Sequence, residues 1–161
     1  MTDDWEARVA AVWATASTLD DQAVLRSIDA LVAERPDTDA AAVFESASAR
    51  DYLVLEAEAE PLYRRAIELG LDDRRLPQSV IQLASTLRNL GRPGEAVALL
   101  EDWLLLHPSD DWSGPASAFL ALALASAGDD RKAASVALTA IAGYLPAYSN
   151  AVRRYAADLL D

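Results

Sequence analysis

The chain has 161 residues, enough for about one domain, and hydrophobic side chains make up 52% of it, which excludes a disordered chain. Its 26 acidic and 14 basic side chains give a net charge of −12, so nucleic acid and anionic membranes are unfavourable partners. The absence of cysteine excludes disulfides and thiolate chemistry. The acidic start lacks a secretory signal and no stretch resembles a spanning helix, so we expect a cytoplasmic protein.

The first predicted elements are two helices that form a degenerate leading hairpin. Apolar side chains from Trp5 to Ala16 fall on one helical face. A second helix is expected from about Asp21 to Glu34, because Pro36 then prevents its continuation.

The middle of the chain repeats with a period of 37 residues. Small, apolar and turn residues all recur at this offset of 37 residues, and a period of this length indicates stacked supersecondary units. The clearest series are Ala47, Ala84 and Ala121; Ala59, Ala96 and Ala133; and Gly91 and Gly128.

Each repeat has the pattern of two helices. In the middle repeat, apolar residues from Val80 to Leu87 recur at i, i+3, i+4 and i+7, which places them on one helical face. Gly91 and Pro93 interrupt this helix, and a second apolar run extends to Leu106 before Pro108. Neither helix can bury its apolar face alone, so the pattern predicts helical hairpins that stack.

These residues resemble a tetratricopeptide repeat. Within residues 77–110 the family positions are matched by Val80, Leu83, Ala84, Leu87, Ala96, Leu100 and Pro108. The preceding repeat departs from the pattern at Ser46, Arg50 and Val54, where the family has leucine, tyrosine and the turn glycine. The amino-acid sequence of these segments is similar to that of a group of small bacterial tetratricopeptide proteins of unassigned function.

The resemblance implies an all-α fold, a right-handed α-solenoid of antiparallel helix hairpins with about nine helices. After Pro146, Tyr148, Val152 and Tyr155 share one face of a final helix that closes the stack. We therefore expect one domain, residues 1–161, that divides into a leading hairpin (1–36), three repeats (40–73, 77–110 and 114–146) and a capping helix (147–161).

Catalytic and metal-binding patterns are absent from the sequence. His107 is the sole histidine and lies at a predicted helix end, where an interaction with the terminal backbone carbonyls accounts for its position. Paired aspartates recur at 3–4, 20–21, 72–73, 110–111 and 129–130, near helix starts, which favours capping over calcium binding. The sequence predicts no enzyme, no metal and no cofactor.

The resemblance also implies that the first helix of each hairpin lines a concave groove that binds a peptide or helical segment of a partner protein. An acidic surface suits a basic or mixed segment. Whether the C-terminal segment covers this groove stays open. The groove residues expected from the helical stripes are Glu45, Ser48, Asp51, Tyr52, Gln78, Gln82, Ser85, Arg88, Asn89, Phe119 and Leu122.

A self-assembling structural protein is the alternative. The first helix of the third repeat is apolar nearly all round, and Trp112, Phe119 and Leu122 on or beside it would form a patch for a second copy of the chain.

Overall fold

A computed structural model describes residues 4–109 and 111–161. Asp3 and Asp110, each a member of a predicted aspartate pair, lie outside the described residues. Within these ranges there are nine α-helices, one short 3₁₀ helix (Ala16–Thr18) and no strand, which confirms the prediction of an all-α helical-repeat fold. The helices are α1 (Asp4–Thr15), α2 (Asp21–Val32), α3 (Ala40–Tyr52), α4 (Glu56–Leu69), α5 (Arg75–Asn89), α6 (Pro93–Leu106), α7 (Ser113–Ser126), α8 (Asp130–Ala142) and α9 (Ser149–Asp158).

The helices form two compact units, with the boundary between Thr86 and Leu87 in α5. In unit 1, each helix packs on the next from α1 to α4. The core at its start comprises Trp5 and Val9 of α1 and Val24 and Ile28 of α2, all buried. The Trp5 indole N–H also donates to the carbonyl of Leu31 at 2.8 Å, so this large side chain is buried with its polar atom satisfied.

In unit 2, α6 packs on α7, α7 on α8, and α8 on α9. Leu100, Leu120 and Leu124 are buried in this unit, and Ala156 is the buried residue of α9. Of the three side chains that the sequence placed on the packed face of this helix, Val152 is half-buried, whereas Tyr148, just before α9, is 82% exposed and Tyr155 is 59% exposed.

Alanines spaced 37 residues apart are buried in all three repeats. A methyl side chain lets two helix backbones approach closely, which explains why the period is clearest at these positions. The buried series are Ala47, Ala84 and Ala121, and Ala59, Ala96 and Ala133.

The first helix of each repeat ends in the same turn. At Gly91, its own N–H bonds to the Arg88 carbonyl and the next N–H bonds to the Leu87 carbonyl, the Schellman pattern that closes a helix with a left-handed residue. The same two bonds recur around Gly128 and around Val54. Val54 thus takes the conformation of the missing glycine, with φ of 60°, although a β-branched residue is strained there.

Aspartates cap helices, as their positions predicted. The carboxylate of Asp72 accepts from the Arg75 N–H at 2.7 Å, and that of Asp129 accepts from the Lys132 N–H at 3.2 Å. Asp39 caps α3 in the same way, whereas Asp20 makes no such bond.

His107 lies at the C-terminal end of α6 with Nδ1 3.0 Å from the Trp103 carbonyl.

Replacing Val54 with glycine should stabilise unit 1. Val54 is 71% exposed, so little packing is lost, whereas an L-residue in the left-handed region costs about 1–2 kcal/mol. Glycine's greater unfolded-state entropy offsets about half of this gain, leaving roughly 0.5–1 kcal/mol. A higher urea midpoint for Val54→Gly, followed by circular dichroism, checks the expectation.

The matched control is Gly128→Val, which places valine at the equivalent turn of the third repeat. No atom lies within 4 Å of a Cβ built there, so its destabilisation reports backbone strain, less the same unfolded-state entropy, without a steric clash at Cβ. A lowered midpoint for Val54→Gly would contradict the assignment of strain to this turn.

Candidate functional site

Unit 1 contains a partly open cavity of about 870 Å³, which we call the unit 1 groove. It is lined by residues of α1, by residues of α3, by Arg74 just before α5, and by Gln78 and Gln82 in the part of α5 that belongs to unit 1. These are the first helices of successive hairpins. The volume falls within the range of ligand pockets, roughly 300–1,000 Å³.

The structure brings together six of the eleven residues expected to line a groove. They share the groove-facing sides of α3 and α5, and they are Glu45, Ser48, Asp51, Tyr52, Gln78 and Gln82. Ser85 lies half-buried on α5 and is not part of the lining.

The remaining expected residues belong to unit 2. Arg88 is half-buried and donates from its guanidinium to the Asn89 side-chain oxygen at 3.0 Å. On α7, Leu122 is 47% exposed and Phe119 is half-buried, as is Trp112 just before this helix.

One wall of the groove was not found from the sequence. Glu6, Ala10 and Trp13 of α1 line it, although the leading hairpin carries no repeat motif. Trp13 shared an apolar face with core residues, and that pattern alone could not show that its ring also borders a cavity. Arg75 was likewise missed, because an arginine pair beside acidic residues favours surface ion pairs.

A buried ion network joins the three helices at the base of the groove. Arg75 is 3% exposed and Glu45 is 4% exposed, and the Arg75 Nε donates to the Glu45 carboxylate at 3.3 Å. The same guanidinium also donates to Glu6 of α1 and, at 2.7 Å, to Asp72. The second oxygen of Glu45 accepts from the Trp13 indole N–H at 2.8 Å. Glu45 is therefore occupied within the protein and positions the groove wall.

Burial and pairing shift the pKa values in this network in opposite directions. Burial raises the pKa of Glu45, and the Trp13 N–H and the Arg75 charge reverse only part of that rise. Burial alone would also raise the pKa of Asp72, but hydrogen bonds from the backbone and side chain of Arg75 lower it overall. Burial would lower the pKa of Arg75, yet Glu6 and Asp72 raise it above its ordinary value, so this guanidinium stays charged.

Asp51 stands apart from this network on the lining of the groove. Its two carboxylate oxygens accept from the Tyr63 hydroxyl of α4 at 3.2 Å and from the Thr86 hydroxyl of α5 at 3.3 Å. No Lys or Arg in the described part of the chain lies within ion-pair distance of it. Burial raises the pKa of Asp51, and the two hydroxyl donors offset this only in part.

Aromatic rings flank these polar groups. Trp13 and Tyr52 meet edge to face with their centroids 5.9 Å apart, and Tyr52 is 42% exposed. The groove therefore offers apolar surface, amide groups and one unpaired carboxylate to a ligand.

The described residues contain no group of three or more His, Asp or Glu side chains placed to hold a metal ion. Among the helices over residues 4–109 and 111–161, none is both long and apolar enough to cross a membrane.

Within each unit consecutive helices pack on one another, and turns and alanines repeat every 37 residues along the chain, which defines a helical-repeat scaffold. Residues 40–159 match the family model described as a tetratrico peptide repeat, and the chain belongs to that family. Repeats of this family mediate protein–protein interaction. No match was found among curated proteins or among solved structures. The likeness to a small bacterial group stays a prediction.

Removing the charge of Arg75 should strongly destabilise unit 1. Arg75→Met leaves the Glu45 carboxylate buried without a cation, which costs about 3–5 kcal/mol. The double variant Arg75→Met/Glu45→Met removes both buried charges and should recover at least about half of that loss, because Glu6 and Asp72, which lose the Arg75 cation in both variants, are more exposed than Glu45. Urea unfolding of the two variants measures both values. Equal losses for the single and double variants would contradict the role assigned to the ion pair.

Replacing Asp51 with asparagine should stabilise the protein at neutral pH. An acid whose folded pKa is raised destabilises the native state above that pKa, and this cost disappears as the pH falls through it. The advantage of Asp51→Asn, measured as the difference in unfolding free energy from the wild type, should therefore shrink toward acidic pH.

The control for this pH series is Asp37→Asn, which changes an exposed carboxylate and should show little difference at any pH. A loss of stability in Asp51→Asn that does not vary with pH would show that its hydrogen bonds outweigh its desolvation.

Proposed function

We propose that this protein is an interaction module whose unit 1 groove binds a peptide or helical segment of a partner protein, without catalysis. The observation that carries the proposal is the open cavity between α1, α3 and α5, whose walls combine exposed aromatic surface with polar side chains. Such a combination suits side-chain recognition, since apolar walls supply affinity and a few polar groups fix the orientation.

The ion network favours a preformed groove. Arg75 fixes α5 to α1 through Glu6 and to α3 through Glu45, so the walls are held in place before a ligand arrives. A groove that needs no ordering loses less conformational entropy on binding. The net charge of −12 favours a partner segment that is basic or mixed in charge.

Self-association is the second candidate, and the exposure of Leu122 on α7 favours it. Phe119 and Trp112 would contribute the remainder of this patch, although both are half-buried. A mass of 17.3 kDa that persists through the micromolar range in sedimentation equilibrium would contradict this candidate.

Filling the groove should abolish peptide binding. Ala10 is an exposed residue of α1 that lines the groove, so tryptophan at this position occupies space that a ligand needs. Heptapeptides selected from a random phage library on the full chain should bind Ala10→Trp at least about tenfold more weakly, a loss of about 1.4 kcal/mol. Fluorescence anisotropy of the labelled peptides gives the affinities.

The matched control is Ala11→Trp, which adds the same side chain at the next, exposed position of α1, outside the groove lining. It should bind within about twofold of the wild type. Failure to select any peptide, or equal binding to both variants, would contradict groove binding.

A further inference from the structure

The three carboxylates that line the unit 1 groove differ in their partners. Glu6 is paired with Arg74 and Arg75, and Glu45 is paired with Arg75. Asp51 has hydroxyl partners from Tyr63 and Thr86, and no basic side chain of the described residues pairs with it. The protein thus neutralises two of these acids itself and leaves the third for a ligand.

The hydroxyl partners hold Asp51 in place without saturating it. A carboxylate has about four acceptor positions on its two oxygens. The Tyr63 hydroxyl donates to one oxygen, and the Thr86 hydroxyl, whose single proton is shared with the Gln82 backbone carbonyl at 2.9 Å, lies 3.3 Å from the other. About two acceptor positions therefore remain. Because Tyr63 of α4 and Thr86 of α5 belong to two different helices, their contacts restrict the orientation of the carboxylate before binding.

A second acceptor lies across the groove on α5. The Gln82 side-chain oxygen is buried and has no hydrogen-bond partner in the described part of the chain. A buried acceptor without a donor is unfavourable, so a ligand that supplies an N–H group to it gains affinity. Gln82 itself is half-buried and lines the groove, and a half-turn about its soft terminal torsion exchanges the positions of the amide oxygen and nitrogen.

Aromatic rings also line the groove that Asp51 and Gln82 border. Tyr52 follows Asp51 in α3, and its ring meets that of Trp13 across the groove. A cation within about 6 Å of the centre of such a ring is attracted to the negative face of its π-system. Acceptors, negative charge and aromatic rings all favour the same kind of group, one that carries a positive charge and several N–H donors.

We propose that Asp51, Gln82, Trp13 and Tyr52 form a subsite that binds a positively charged side chain, best an arginine, of the partner segment. The guanidinium donates to the open positions of Asp51 and to Gln82, while its flat face lies against the aromatic rings. Five N–H donors in a fixed plane match several acceptors at once, which an ammonium group does less well. The subsite rests on the proposed groove function and specifies the chemistry of its ligand.

The experiment uses two small probes and the full chain. N-acetyl-arginine methylamide supplies the charged side chain, and N-acetyl-citrulline methylamide keeps nearly the same planar shape but is neutral and has a carbonyl oxygen in place of one NH2 group. Titration followed by NMR, with the Trp13 indole N–H as reporter, should show saturable binding of the arginine probe. The citrulline probe should bind at least about tenfold more weakly, a difference of about 1.4 kcal/mol.

Asp51→Asn should abolish this preference, whereas Asp37→Asn should retain it. The wild-type comparison of the two probes tests the requirement for a charged guanidinium even if Asp51→Asn were to fold poorly. Equal binding of both probes, no shift at the Trp13 indole, or a preserved arginine preference in folded Asp51→Asn would each overturn the subsite.

These outcomes are separable from the peptide experiment. If the selected peptides bind Ala10→Trp more weakly but the arginine probe does not bind, the proposed groove function is supported and the subsite is contradicted. An arginine probe that binds while no peptide is selected would establish the subsite and contradict the wider groove.

Discussion

The burial of one apolar face per helix is the constraint on which the fold depends. A helix of about 13 residues is marginal in water by itself, and most of its stability comes from packing against neighbours. Buried alanines such as Ala47 of α3 and Ala59 of α4 let successive helices approach closely enough to exclude water from their shared faces. The repeat period follows, because each added hairpin must present the same small residues to the next.

Packing of this kind leaves the other side of the first helices available for polar chemistry. In unit 1 that side carries both the Arg75–Glu45 pair and the Asp51 carboxylate, which the protein treats differently. A buried ion pair is weak evidence for added stability, since desolvation offsets its attraction. Its contribution here is geometric: one guanidinium contacts acids from α1, from α3 and from the turn before α5, and so fixes the shape of the groove.

The turn at Val54 shows how strongly the repeat geometry overrides local preference. Valine is a poor left-handed residue, yet it closes α3 with the same two hydrogen bonds that Gly91 and Gly128 make in later repeats. The connection to α4 must reverse the chain within three residues, and the burial of the helices on both sides outweighs the strain at one exposed position. A departure from the family pattern at this site changed the residue but not the turn.

The sequence by itself determined the helices, the 37-residue period, the glycine turns and the buried alanines, because each depends on spacing within one segment. It also predicted which side chains share one stripe of α3 and α5, since a helical stripe follows from 3.6 residues per turn, and six of those side chains line the unit 1 groove. Only the tertiary structure decided that Trp13 of α1 forms a groove wall and that Arg75 meets Glu6, 69 residues away in the chain. Such contacts depend on how separate helices pack side by side. The periodicity within one segment cannot predict which side chains of different helices then face each other.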